Sequence, residues 1–261
     1  MSESYEKIVN CKLNNREIAI LWLGQAGFLI KSSDGIIIAI DPYLSDCGER
    51  IKGFVRQSQK SVSAEDLKPN LYITTHLHFD HFDYDAIPIV AKQSNAIFLG
   101  PESCCLKLLE IGLDSTRIIP LHLDKEIEYK SVKIKSVFAD HGTLSPDAVG
   151  ILMRINGTVL YFSGDTAYRP EKLTWLAEST PDLSFLSING NFGNLNAAEG
   201  ACLASDLKTK IAIPCHYGTF IEHGGDPLNF QAEMGIIAPA CQVIIMNQED
   251  LLIYKPTQVG S

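Results

Sequence analysis

Apolar residues in this chain fall in short runs closed off by glycine, proline or acidic turns. Residues 18–23, 28–30 and 36–40 are three such runs and read as strands, the last two joined across Ser32-Ser33-Asp34-Gly35. The run at 71–75 ends abruptly in polar, histidine-rich sequence, which is how a buried strand delivers residues to a site. Runs at 132–138, 149–155, 159–162, 211–214 and 243–246 predict further strands. Helices are marked by their ends. Pro101 and Gly112 bracket one, Pro170 opens another, Asn196 with Glu199 gives a capping-box start to a third, and Asp226-Pro227 opens a fourth.

A weak internal repeat emerges. Gly27-Phe28-Leu29-Ile30 leads through Gly35 to a strand ending in Asp41, and Gly150-Ile151-Leu152-Met153 leads through Gly157 to a strand ending in Asp165. Lys68 to His76 and Lys208 to His216 then pair as strands that end in histidine. Two similar β-rich halves would set Asp41, His76, Asp165 and His216 at strand ends along one edge. No linker or charge block interrupts the chain, so residues 1–261 are expected to form a single domain.

Composition narrows the function classes. With 46% apolar and 20% charged residues the chain has ordinary globular composition. Its formal charge of −9, without a Lys/Arg cluster, argues against a nucleic-acid partner, because phosphate neutralisation dominates such binding. The longest uncharged stretch, 183–198, is rich in Asn and too polar for a membrane span. The first residues lack a basic and then apolar leader, so a cytoplasmic location is expected. Seven irregularly spaced Cys without a C-x-x-C pair read as reduced thiols. Cys215 is expected to point away from its neighbour His216.

The strongest signal is Thr75-His76-Leu77-His78-Phe79-Asp80-His81, three His and one Asp directly after a predicted strand. Imidazole and carboxylate donors suit zinc and other first-row divalent ions, and a strand-end loop lets several of them converge. His141, Asp165 and His216 stand where other strands end. Asp41, at a strand end before Pro42, is expected to accept the free ring N–H of a ligating His and fix its tautomer.

In their order along the chain, the His76–His81 motif, His141, Asp165 and His216 resemble the metallo-β-lactamase-fold hydrolase superfamily. The resemblance covers nearly the whole chain and implies an α/β fold, a four-layer αββα sandwich with the site at the sheet edge. It also implies two divalent ions: His76, His78 and His141 would hold one, Asp80, His81 and His216 the other, with Asp165 bridging. Trp22-Leu23-Gly24, Asp83, Leu99-Gly100-Pro101, Ala148-Val149 and Pro214 are most similar to the L-ascorbate-6-phosphate lactonase-like branch. The branch implies manganese where the superfamily more often implies zinc, and a homo-oligomer. The chain departs from it in a short segment between Asp41 and His76, in Thr166-Ala167 after the bridging Asp, and in Tyr217 after the last ligand.

Two ions, two carboxylates and a hydroxide leave such a site at about +1, a floor that favours a small anionic or carbonyl-polarised substrate. The expected activity is opening of a lactone or cleavage of an ester of a small anionic, sugar-phosphate-like substrate, with Asp80 orienting the water or taking its proton. A small-molecule phosphodiesterase or a thioesterase would use the same ligands. Asn189, Asn191 and Tyr217 are the candidate substrate-binding residues, from a loop rich in amide donors and the position after His216.

Overall fold

The computed structural model describes residues 2–256; Met1 and residues 257–261 of the expected domain lie outside the described residues. Two seven-stranded sheets pack face to face. The first contains β1 (Ile18–Gly24), β2 (Gly27–Ser32), β3 (Ile37–Ile40), β4 (Leu71–Ile73), β5 (Ile97–Gly100) and β6 (Ile118–Pro120). The second contains β7 (Glu126–Tyr129), β8 (Val132–Phe138), β9 (Val149–Ile155), β10 (Thr158–Phe162), β11 (Leu183–Ser187), β12 (Ile211–Cys215) and β13 (Gln242–Val243). The last strand, β14 (Leu251–Tyr254), returns to the first sheet and pairs with β1.

The strand orders are β14-β1-β2-β3-β4-β5-β6 and β13-β12-β11-β10-β9-β8-β7, and the two sheets match strand for strand. In each, antiparallel pairing runs up to one hairpin, β2–β3 or β9–β10, and parallel pairing follows. The repeat therefore holds for Asp41 and Asp165, which follow the equivalent strands β3 and β10. It fails for the two histidines. His76 follows β4, whose counterpart is β11, whereas His216 follows β12, the counterpart of β5. Equal spacing from a lysine was coincidence between non-equivalent strands.

Helices cover both outer faces. The first sheet carries α1 (Glu3–Asn10), α3 (Ala86–Gln93) and α4 (Glu102–Glu110), with the short α2 (Cys47–Lys52) between β3 and β4. The second carries α5 (Pro170–Leu173), α6 (Ala197–Asp206) and α7 (Pro227–Ile237). Asn196 and Glu199 form the predicted capping box, and the Asp226 carboxylate accepts the Leu228 N–H at the start of α7. No helix among the described residues is long and apolar enough to cross a membrane.

The layers explain why β1 is buried at every position. Ile18, Ile20 and Trp22 face the inter-sheet core with Phe28, Phe162 and Phe185, while Ala19, Leu21 and Leu23 face Ile8, Ile87 and Leu108 under the helices. A sheet covered on both sides needs continuous apolar runs, not alternation. Cys215 lies in the inter-sheet core, where burial pushes its thiol pKa up. All seven cysteines are unpaired.

Candidate metal centre

The histidine-rich loop begins where β4 stops. His141 follows β8, Asp165 follows β10 and His216 follows β12, so ends of strands from both sheets deliver side chains to one point. His76, Asp80, His81, His141, Asp165 and His216 are all buried and His78 is half-buried. Gly164 lets Asp165 reach the centre. It takes φ +58°, and a Cβ there would stand 2.9 Å from the Val149 carbonyl oxygen.

His76, His78, His141 and Asp165 form one group, and His81, Asp165 and His216 another, the donor atoms of each group lying within 4.8 Å of one another. In the first, His78 Nδ1 lies 3.0 Å from His76 Nε2 and 3.2 Å from His141 Nε2. Asp165 Oδ2 stands 4.0 and 3.7 Å from those two Nε2 atoms. In the second, His81 Nε2 and His216 Nε2 are 3.0 Å apart, and each is 3.2 Å from Asp165 Oδ1. Asp80 Oδ2 joins this group at 3.1 Å from His216 and 3.6 Å from His81.

These donor sets fit divalent ions. Converging ring nitrogens about 3 Å apart turn lone pairs toward one another, and tetrahedral bonds of about 2.0–2.1 Å place ligand atoms about 3.3 Å apart. Asp165 Oδ1 is fully buried and accepts no hydrogen bond despite its two histidine neighbours. A carboxylate with one oxygen in each group has the form of a bridge.

The charges agree with that form. Burial works to raise the Asp165 and Asp80 carboxyls, yet the surrounding imidazoles hold both well below the ordinary carboxylate range. Burial lowers the His76 and His141 pKa values and favours neutral rings, the state that ligates, whereas at His81 burial is outweighed by Asp165, Asp41 and Asp80, which raise its pKa well above the ordinary value.

Asp41 stands behind His81. Its Oδ2 accepts from His81 Nδ1 at 2.8 Å and from Thr75 Oγ1 at 2.6 Å, and its Oδ1 accepts from the Thr75 N–H at 2.7 Å. With Nδ1–H committed to Asp41, His81 offers Nε2 to the centre.

Gln25 and His223 also reach the centre. The buried Gln25 amide, in the β1–β2 turn, donates through Nε2 to Asp80 Oδ2 at 2.8 Å and to His223 Nδ1 at 2.7 Å. His223 stacks on His216 with ring centres 4.8 Å apart and groups with Asp80 and His216 as a third set of potential ligands. Burial, then the neighbouring His216, lowers its pKa to about 4. Gln25 has no metal-ligand chemistry to flag it in the sequence, and its positive φ of 51°, shared by Asp41 (45°) and His216 (68°), appears only in three dimensions.

The three expected substrate-binding residues sit elsewhere. A cavity of about 260 Å³ opens over the centre, lined by His78, Asp80, His141, Asp165, His216 and His223 together with Lys52, Phe54, Phe79, Leu144 and Phe192. Asn189 accepts from Asn194 Nδ2 at 2.9 Å, and Asn191 donates to the Glu222 and His223 carbonyls at 3.0 Å each, so both amides shape loops. Tyr217 turns away from the side His216 occupies and packs on Trp22 at 5.2 Å, lining a separate depression.

Two covered seven-stranded sheets with histidine and aspartate side chains gathered at their strand ends define the metallo-β-lactamase superfamily, and residues 19–216 match its Beta-lactamase superfamily domain. Within it the chain belongs to the UPF0173 metal-dependent hydrolase family. It is 31% identical over 221 residues to a UPF0173 metal-dependent hydrolase of Thermoplasma volcanium, covering 82% of this chain and 90% of that one. It is 31% identical over 215 residues to a UPF0173 protein of Pyrococcus furiosus, with the same coverage of each. Among solved structures it is similar to Igni18, a metallo hydrolase from Ignicoccus hospitalis, with TM-score 0.74, 21% identity, and coverage of 92% of this chain and 100% of that one.

Proposed function

We propose that this chain is a metal-dependent hydrolase that opens a lactone or cleaves an ester of a small substrate. The observation that carries this is Asp165, whose two oxygens divide between two groups of histidine nitrogens. The relatives' names, metal-dependent hydrolase, agree with it.

His76, His78 and His141 would hold one ion, Asp80, His81 and His216 the other, with Asp165 between them; zinc and manganese both suit such donors. Ions held there supply acidity, bringing a water's pKa from 15.7 to about 7, and polarise the carbonyl. Asp80, held by the Gln25 amide, orients the attacking water and takes one of its protons as the new C–O bond forms. The ester C–O bond then breaks and its oxygen takes up a proton, giving acid and alcohol, joined in one molecule if the substrate was a lactone.

The lactonase-like reading rests on Trp22-Leu23-Gly24, Leu99-Gly100-Pro101 and Pro214. Lys52 at the cavity mouth is compatible with an anionic substrate. Metal analysis of protein purified without chelator, followed by lactones, thioesters and phosphodiesters compared side by side with the metal found, tests the proposal. Turnover of a lactone or oxygen ester above the other two classes is the expected result. Wild-type turnover by metal-verified Asp80→Ala protein would overturn the role of Asp80.

A further inference from the structure

The residues above the ligands form an aromatic mouth, although nothing in the proposed chemistry requires one. Phe54 follows α2, Phe79 lies in the ligand loop, and Phe192 comes from the loop after β11. Phe54 packs against Phe79 at 5.9 Å and 82° and against Phe192 at 6.2 Å. Both Phe54 and Phe192 meet the ring of His223, at 5.7 and 5.5 Å, and His223 stacks on His216. The apolar wall thus begins one ring away from the metal-ligating side chains.

This wall is anchored at its base and open at its rim. Phe79 packs with Tyr43 and Phe220 in a small buried cluster, and α2 can lie against it because position 48 is glycine; a Cβ there would stand 2.5 Å from the Phe79 ring. Phe192 is 46% exposed and Leu144, at the same cavity, is 54% exposed. Apolar side chains exposed around a concave site mark a surface that a ligand covers.

The lining also lacks what a polyhydroxylated substrate needs. Its polar side chains are the candidate ligands, His223 and Lys52; the nearby Asn189 amide is engaged by Asn194 of its own loop, and the Asn191 amide by the Glu222 and His223 carbonyls of the loop after β12. Sugar hydroxyls pressed against phenylalanine would lose hydrogen bonds to water without replacement.

We infer that the substrate presents an aromatic or similarly flat apolar group to Phe54 and Phe192 while its ester carbonyl lies over Asp80 and Asp165. This rests on the hydrolase reading and names the substrate class for it: aryl or arylalkyl esters and lactones, not polyol or sugar-phosphate ones. Offset or edge-on ring packing orients the group, and its burial supplies most of the affinity. Lys52 at the mouth accommodates a single negative charge at the outer end.

The test compares dihydrocoumarin with glucono-δ-lactone as substrates of the metal-loaded full chain. Alongside, calorimetry measures binding of 3-phenylpropanoate and gluconate to wild type, Phe54→Ala and Phe192→Ala. Dihydrocoumarin is expected to exceed gluconolactone in kcat/KM by about tenfold or more, with 3-phenylpropanoate alone binding and each variant weakening it by about tenfold. Phe192 is exposed, so its truncation leaves the fold in place should Phe54→Ala not express. Preference for gluconolactone, or an aryl preference indifferent to both variants, overturns the inference and leaves the hydrolase reading standing. Phenyl-dependent binding without turnover of either lactone does the reverse. Absence of 3-phenylpropanoate binding also overturns it.

Discussion

Asp41 Oδ2 lies 2.8 Å from His81 Nδ1, and the same carboxylate is fixed by both the N–H and the hydroxyl of Thr75. This pre-orients the His81 ring, with Nε2 turned to the centre. Asp41→Ala frees the ring and leaves its tautomer unspecified, so metal affinity should fall about 10- to 100-fold. Competition with a fluorescent chelator reads this directly, and unchanged affinity would show that the pair only supports the fold.

Gln25 holds Asp80 and His223 at once, through a single Nε2. Removing it leaves a buried carboxylate short of a donor, a loss of about 1–3 kcal/mol. If that energy positions Asp80 for the proton, Gln25→Ala should lower kcat about tenfold or more with KM little changed. Gln25→Met, which keeps the volume but not the amide, should fall equally; retention of activity in the Met variant would reduce the residue to packing.

Phe185 stacks on Phe162 with ring centres 4.2 Å apart and packs on Phe28 from the opposite sheet at 4.6 Å. Truncation to Ala opens a cavity in the middle of the inter-sheet core and should cost about 3–5 kcal/mol. Urea unfolding would report this as a lower midpoint at unchanged slope.

The two halves also meet at an exposed acid. Asp34, in the β2–β3 turn, accepts from Ser32 Oγ and, at 2.7 Å, from Ser131 Oγ before β8. The Ser32 hydrogen bond, then burial in the opposite direction, set its pKa, which is lowered overall. A depressed folded pKa adds stability that is present above the unfolded value, about 3.9, and is lost as pH falls through the folded one. The advantage of wild type over Asp34→Ala in urea midpoint should therefore be larger at pH 6 than at pH 3. The side chain is exposed, so the effect is small.

Much of this molecule was legible in the sequence because its site is built from short contiguous motifs. Three histidines in one loop announce themselves, and caps at Asn196 and Asp226 fix two helix starts. Other elements carried little signal. The strand expected at 243–246 is confined to Gln242–Val243, and β5, β6, β7 and β14 are three or four residues long, too short for periodicity to separate from turn sequence. Gln25 escaped because an amide has no metal preference of its own, and its role depends on two partners 55 and 198 positions away. Asn189 and Asn191 show the opposite case, a clear compositional signal on side chains that do not line the cavity. An amide suits hydroxyl recognition in composition, but Asn189 accepts from Asn194 of its own loop and Asn191 donates to the Glu222 and His223 carbonyls of the loop after β12.

The equivalence of β3 with β10 has a mechanical consequence. Asp41 and Asp165 close the same strand in the two halves, but the second reaches across to histidines of the first while His141 and His216 come from its own half. Any ion held by His76, His78 and His141, or by His81 and His216, is bonded to both halves at once. It would act as a cross-link between the sheets, much as a disulfide would in an oxidised protein, so that stripping the metal loosens the sandwich itself.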